Sequence, residues 1–248
     1  ASIKIPHSLG QFYATITGFL GFKIQSDEYK VMGMAPYGKP AYADFFINEM
    51  IDFCNDGIFR MKKRFLDYHL ARQGIFFPET MKVLGKNRLP EEEVTSNHMD
   101  IAKSAQVVLE EALFHMANHL QRETRVDALC LAGGVALNCV ANGKLIETGI
   151  FKDIWIQPAS GDAGGALGAA YLGWYLWKGE KRTVDKTVAD AMMGAYLGPE
   201  YDDKAIMGMI RKYGGRYDYY ENFDELTKTV ASKLAEGTER TGLPQRYL

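Results

Sequence analysis

The run Val126-Asp127-Ala128-Leu129-Cys130-Leu131-Ala132-Gly133-Gly134-Val135-Ala136-Leu137-Asn138 decides the fold. Val126 to Ala132 is a short apolar stretch of strand length, and it stops at two glycines. Residues from about Leu137 to Thr148 then take helical spacing, with Gly149 placed as a C-terminal stop. The same order of parts follows at once. Ile154 to Gln157 reads as a second strand, Pro158-Ala159-Ser160-Gly161-Asp162 as a turn, and about Ala163 to Trp177 as a helix rich in small residues. Strand, glycine turn, helix, strand, glycine turn, helix is an α/β pattern.

Upstream lies the clearest helix, Asp100 to Arg122. Ile101, Ala105, Val108, Leu109, Ala112, Leu113, Met116, Ala117 and Leu120 make one apolar stripe, and Asp100 is placed as the N-cap. Near the start, Phe12, Ile16, Phe19 and Leu20 share a face, which predicts a short helix over Gln11–Leu20. Glycine and proline punctuate Glu28 to Pro40, so that segment is expected to break regular structure. A helix is expected near Tyr42–Asn55, and Asp56-Gly57 is a turn opening a hairpin over Ile58–Tyr68. Arg60, Lys62, Lys63 and Arg64 form a basic run there, read as a solvated face. Residues 178–195 read as a linker, and helices are expected near Asp203–Tyr213 and Phe223–Ala235. Residues 196–248 are too few for a core of their own, so they read as the truncated start of a second domain after a first domain over 1–177. There is no internal repeat.

Bulk composition narrows the function classes. The chain has 248 residues, 47% hydrophobic and 24% charged, with a net charge of -2. No basic tail or patch marks a nucleic-acid surface. The three cysteines, Cys54, Cys130 and Cys139, match no zinc spacing and read as reduced thiols of a cytoplasmic protein. The most apolar stretch, Ala159 to Trp177, carries Asp162 and several glycines and is short for a membrane span. The first residue is Ala1, and the chain enters directly on Ile3-Lys4-Ile5-Pro6, which reads as a start inside a larger protein.

Four places are candidates for chemistry. Gly133 and Gly134 end a buried strand, so another group can approach the backbone, and the next helix directs its free N–H groups at the same spot. Phosphate or nucleotide suits that geometry, with Asn138 as a hydrogen-bonding partner; close helix–sheet packing is the alternative. Gly161-Asp162 repeats the arrangement, and Asp162 is either a hard oxygen ligand at a strand end or a helix cap contributing about 1 kcal/mol. Glu28 to Pro40 offers both charge signs and the backbone of Gly33 and Gly38. His115 and His119 share a helix face at i, i+4, but no glutamate stands between them as a metalloprotease helix requires, so both are read as structural.

Taken together, these segments resemble the O-carbamoyltransferases of nodulation-factor and antibiotic biosynthesis. The resemblance rests on Pro6-His7-Ser8-Leu9-Gly10 with Phe12-Tyr13, on Gly21-Phe22-Lys23, and on Glu28-Tyr29-Lys30-Val31-Met32-Gly33-Met34-Ala35-Pro36-Tyr37-Gly38-Lys39-Pro40. It continues through Asp100-Ile101-Ala102 with Gln106, Leu131 to Asn138, and Pro158 to Ala170. It is good over residues 3–177 and thinner over 196–236.

The resemblance implies an actin-like or sugar-kinase type subdomain, a mixed sheet flanked by helices, followed by the beginning of a second α/β domain. It implies that carbamoyl adenylate, made from carbamoyl phosphate and ATP, passes its carbamoyl group to a small-molecule hydroxyl acceptor with the help of a divalent, iron-type metal. By position, Asp162 matches a metal ligand. Asn138 and Gly38 match nucleotide contacts, Gly133, Gly134 and Gly161 flank them, and Glu28 is a looser match. The family's metal histidines lie upstream of the segment that Ala1 resembles. Residues 238–248 depart from the family's second domain, so the adenylate-forming machinery is expected outside this chain. A homodimer fits the resemblance, and neither nucleic acid nor membrane is expected as a partner. The rival readings are an actin-like kinase or ATPase, which uses similar glycine turns but leaves residues 28–40 unexplained, and a non-catalytic binding fragment.

Overall fold

A computed structural model describes residues 2–62, 78–185, 187–188 and 190–236. The chain divides into two compact units, residues 1–184 and 185–248. The first is a mixed α/β unit. Its central element is α5, Ser96–Thr124, whose stripe from Ile101 through Ala117 is buried. The helix begins four residues before the expected Asp100. Its N-cap is Thr95, whose N–H donates to His98 Nδ1 at 3.0 Å. Asp100 instead reaches across the fold, where its Oδ1 accepts the Lys39 N–H at 2.7 Å. A cap is set by the chain's direction on entering the helix, which the apolar period alone does not reveal.

Helix α1, Leu9–Phe19, packs on α5 and is buried nearly all round, with Phe12 and Ile16 fully enclosed. Ser8 caps it, accepting from Gln11 N at 3.2 Å. The expectation that residues 28–40 break regular structure is corrected. Glu28–Met34 is helix α2, and Ala35–Tyr37 continues as a 3-10 turn. Glycine and proline fall at the last turn, where Gly38 lets the chain lie against α5, so the punctuation ends the helix instead of preventing it. The helix expected over Tyr42–Asn55 is shorter: α3, Ala43–Phe45, runs into a π turn over Phe46–Met50, and β1 takes over at Ile51–Phe53. Phe46 meets Phe12 edge to face, with centroids 5.7 Å apart.

β1 pairs antiparallel with β2, Phe59–Met61, with Phe53 opposite Phe59. The hairpin therefore turns at Asp56-Gly57 as expected, but its first strand precedes the turn. The expected second arm, Lys63 to Tyr68, lies outside the described residues. Helix α4, Pro78–Leu84, leads toward α5.

β3, Ala128–Leu131, and β4, Asp153–Ile156, pair in parallel around α6, Cys139–Glu147. The register sets Ala128 opposite Asp153 and Leu131 opposite Ile156. Among the described residues the strands form two separate two-stranded sheets, one of each sense, not one mixed sheet. Helix α7, Ala163–Tyr171, ends in a π turn over Leu172–Trp177, and no residue of either is buried. Among the described residues no helix is long and apolar enough to cross a membrane.

The second unit contains α8, Asp203–Tyr213, and α9, Phe223–Ala235, with the bounds that the sequence predicts. Their starts follow from caps: Asp202 accepts from Ala205 N at 2.7 Å and Asn222 from Asp224 N at 2.8 Å. Gly214, with φ 62°, ends α8.

Candidate functional site

Both strands of the parallel pair end in a glycine turn, and the two turns are tied together. Gly133 N–H donates to the Ser160 carbonyl at 2.8 Å. Gly133 has φ 100°, a backbone that glycine adopts freely, and a 3-10 turn over Gly134–Leu137 follows. A Cβ built on Gly133 or Gly134 would meet nothing within 4 Å, so the backbone here is open. The expected single helix from Leu137 is thus delivered in two pieces, with Asn138 as the N-cap of α6: its Oδ1 accepts the Ala141 N–H at 3.0 Å.

A cavity of about 650 Å³ lies at the carboxyl ends of β3 and β4. That is where open α/β sheets place ligands. Its walls bring together five of the residues singled out from the sequence: Glu28, Gly134, Asn138, Gly161 and Asp162, with Gly133 adjoining through the chain. The N-termini of α6 and α7 therefore open onto one space, since their cap residues both line it. Glu28 stands at the start of α2, and its Oε1 accepts the Gln25 N–H at 2.6 Å. Asp162 makes no side-chain cap hydrogen bond and is exposed.

Gly38 is not part of this wall. A Cβ there would stand 2.0 Å from the Met99 carbonyl oxygen and 2.7 Å from Asp100 N. Its role is close approach of the backbone to the first turn of α5.

Residues that the local sequence does not single out complete the wall. Gln11 and Tyr13 of α1 line it, as do Met32 of α2 and Val135. Tyr13 is 4% exposed, and burial raises its hydroxyl above the ordinary tyrosine range, with the Asn138 side chain acting in the opposite direction. The Tyr13 hydroxyl donates to Gln106 Oε1 at 3.0 Å, a partner 93 residues away that no periodicity could have linked to it. Ser160 Oγ and Asn142 Oδ1 are buried beside the two turns without a hydrogen-bond partner among the described residues.

His115 and His119 serve the hairpin. His115 Nε2 lies 2.8 Å from the Cys54 carbonyl, and its ring sits 5.1 Å from that of Phe53. Gly57, at φ 76°, has its α-carbon against His119, where a Cβ would come within 2.1 Å of the ring. Among the described residues no three His, Cys, Asp or Glu side chains gather as a metal site.

Two glycine turns and two helix starts around one cavity define this α/β unit as one with a concave site at its strand ends. Residues 1–171 match the family model described as the carbamoyltransferase N-terminus, and the chain belongs to that family. It is 44% identical over 239 residues to the uncharacterized protein sll1178 of Synechocystis, covering 95% of this chain and 38% of that protein. It is 34% identical over 231 residues to nodulation protein NolNO of Sinorhizobium fredii, covering 93% and 31%. It is 35% identical over 233 residues to nodulation protein NolO of Bradyrhizobium diazoefficiens, covering 93% and 39%. The chain thus spans between three and four tenths of the length of these relatives.

Proposed function

We propose that this chain is the nucleotide- and carbamoyl-handling part of an enzyme that transfers a carbamoyl group from carbamoyl adenylate to an acceptor hydroxyl, the adenylate being made from carbamoyl phosphate and ATP. The observation that carries this reading is the convergence of both glycine turns and Glu28 on one cavity at the strand ends. The open backbone at Gly133 and Gly134 leaves room for a phosphate beside the N–H groups that start the 3-10 turn and α6. Carbamoyl adenylate has a single negative charge at its phosphate, which a helix start stabilises without a lysine. The pairing of this βαβ unit with α1 and α5 fits one half of an actin-like, sugar-kinase type domain. The acceptor, a second copy of the chain and a cytoplasmic setting remain part of the proposal.

A divalent metal, when bound, would act as a Lewis acid on the carbamoyl carbonyl or on the attacking hydroxyl. Asp162 is the ligand we assign to it, because its carboxylate lines the cavity without serving as a cap. The described residues alone do not complete a donor set, and no step here depends on the ion.

The test is a calorimetric titration of the chain with a non-hydrolysable carbamoyl-adenylate analogue, repeated on Gly134→Val. A Cβ at Gly134 meets nothing within 4 Å, so the unfolding free energy should change by less than about 1 kcal/mol while the valine narrows the cavity that Gly134 lines. Saturable binding that falls at least about tenfold in the variant supports the reading. Absence of saturable binding in the parent chain, or undiminished binding in the variant, rejects it.

A further inference from the structure

Beside the cavity, Tyr13, Gln106, Asn138 and Glu110 form one buried polar chain that ends on the half-exposed Lys144, and the polarity of its two ends is unambiguous. At one end Asn138 Oδ1 receives the Ala141 backbone N–H at 3.0 Å, and an N–H only donates. At the other, Glu110 Oε1 receives Gln106 Nε2 at 3.0 Å, with Lys144 Nζ 2.5 Å from the second carboxylate oxygen. These two ends settle which way both amides face. Asn138 Oδ1 meets Gln106 Nε2 at 3.1 Å, and Asn138 Nδ2 meets Gln106 Oε1 at 2.9 Å. Gln106 Oε1 is therefore an acceptor, and the Tyr13 hydroxyl 3.0 Å away has to donate to it. Its hydrogen is directed inward, so Oη has only lone pairs left to offer. The second Asn138 N–H is directed at Tyr13 Oη and takes one of those lone pairs, so Asn138 keeps no free donor while Oη keeps one acceptor site. Tyr13 and Asn138 line the cavity, whereas Gln106 is 1% exposed and does not.

We propose that Gln106 is a positioning residue: it turns the Tyr13 hydroxyl so that the cavity floor presents an acceptor and no donor at that point, and so reads the NH2 of a carbamoyl group. The carbamoyl NH2 donates to the remaining lone pair of Tyr13 Oη. This rests on the carbamoyl-adenylate reading above. The raised hydroxyl of Tyr13 agrees with it, because a neutral phenol keeps its proton on the Gln106 side. A ribose hydroxyl would donate to the same oxygen, so the experiment has to separate the two sources.

Two probes do so: the non-hydrolysable carbamoyl-adenylate analogue and its acetyl counterpart, which replaces NH2 by CH3 and leaves the nucleotide unchanged. Affinities are measured by calorimetry for the parent chain, Tyr13→Phe, Gln106→Met and the double variant, with melting curves for each. The parent chain is expected to prefer the carbamoyl probe by about tenfold, the effect of one unmet hydrogen bond. Both single variants should erase that preference, and the double variant should add nothing. Tyr13→Phe keeps the ring, so it carries the test if Gln106→Met does not fold. Equal weakening of both probes in the variants with the preference retained would overturn the role of Gln106. Tight but equal binding of both probes by the parent chain would place the ribose on the floor and overturn it too, while leaving the nucleotide reading intact. Failure of the parent chain to bind either probe would reject both readings.

Discussion

At the scale of single residues, glycines divide into those that face a ligand and those that face the protein. Gly133 and Gly134 look into empty space, while Gly38 and Gly57 lie against other parts of the chain. Gly38→Ala sets a methyl group 2.0 Å from the Met99 carbonyl, which has no rotamer by which to withdraw. It should cost about 3 kcal/mol, measured by urea unfolding. If Gly38 were instead a nucleotide contact, the same variant would keep its stability and lose affinity for the analogue, and that result would refute the packing role. The sequence presents all four glycines alike, as punctuation near a turn. Which side of the backbone is crowded depends on elements 60 residues away, as with Gly38 and Met99.

At the scale of elements, the start of α5 is a pH-sensitive feature. His98 Nδ1 accepts the Thr95 N–H at 3.0 Å, which requires that nitrogen to be unprotonated. Burial, with Arg88 second, lowers the His98 pKa from its usual 6.5, while Glu92 acts to raise it. The unfolded chain therefore binds the proton more readily than the folded one. This contribution is intact above about pH 6.5 and is lost as the pH falls from there through the folded value. Denaturant unfolding between pH 7.5 and 5 should show stability falling as the pH drops, and His98→Gln, which can still accept from Thr95 N, should flatten that slope. An equally steep slope in the variant would assign the dependence to other groups. Periodicity identified the helix itself, because seven of the nine stripe residues, Ile101, Ala105, Val108, Leu109, Ala112, Leu113 and Ala117, are buried, while Leu120 near its end is exposed. It misplaced the cap, because Asp100 is a good capping residue that happens to be engaged with Lys39.

At the scale of the whole molecule, burial is unevenly distributed. The first unit has fully enclosed side chains such as Phe12, Phe46, Ile101 and Leu145, whereas α8 and α9 of the second bury no residue. Amide hydrogen exchange should accordingly be slowest in the middle of α5 and α1, and faster by orders of magnitude in α8 and α9. Comparable protection in both units would mean that α8 and α9 gain cover in solution from a surface outside the described contacts. The π turn after α7 belongs to the same pattern, with Leu176 and Trp177 76% and 86% exposed despite their apolar character.

Residue order alone sufficed for the parts whose cause is local. The β3–turn–α6 and β4–turn–α7 succession, the bounds of α8 and α9, and the glycine turns all follow from interactions within a few residues, and the family resemblance followed from the order of the motifs. Hence Gly134, Asn138, Gly161 and Asp162 were legible as candidates before any cavity was known. What the folded chain alone decided is how distant residues meet. It brought Glu28 to the two turns, took Gly38 away from them, separated the strands of the described residues into two sheets, and set Tyr13 and Gln106 beside Asn138. Hydrogen-bond polarity passes through space from Ala141 and Glu110 to Tyr13, along contacts up to 93 residues apart in the chain. Sequence spacing holds no record of such contacts, because the burial that makes them favourable exists only once α1, α5 and α6 have packed together.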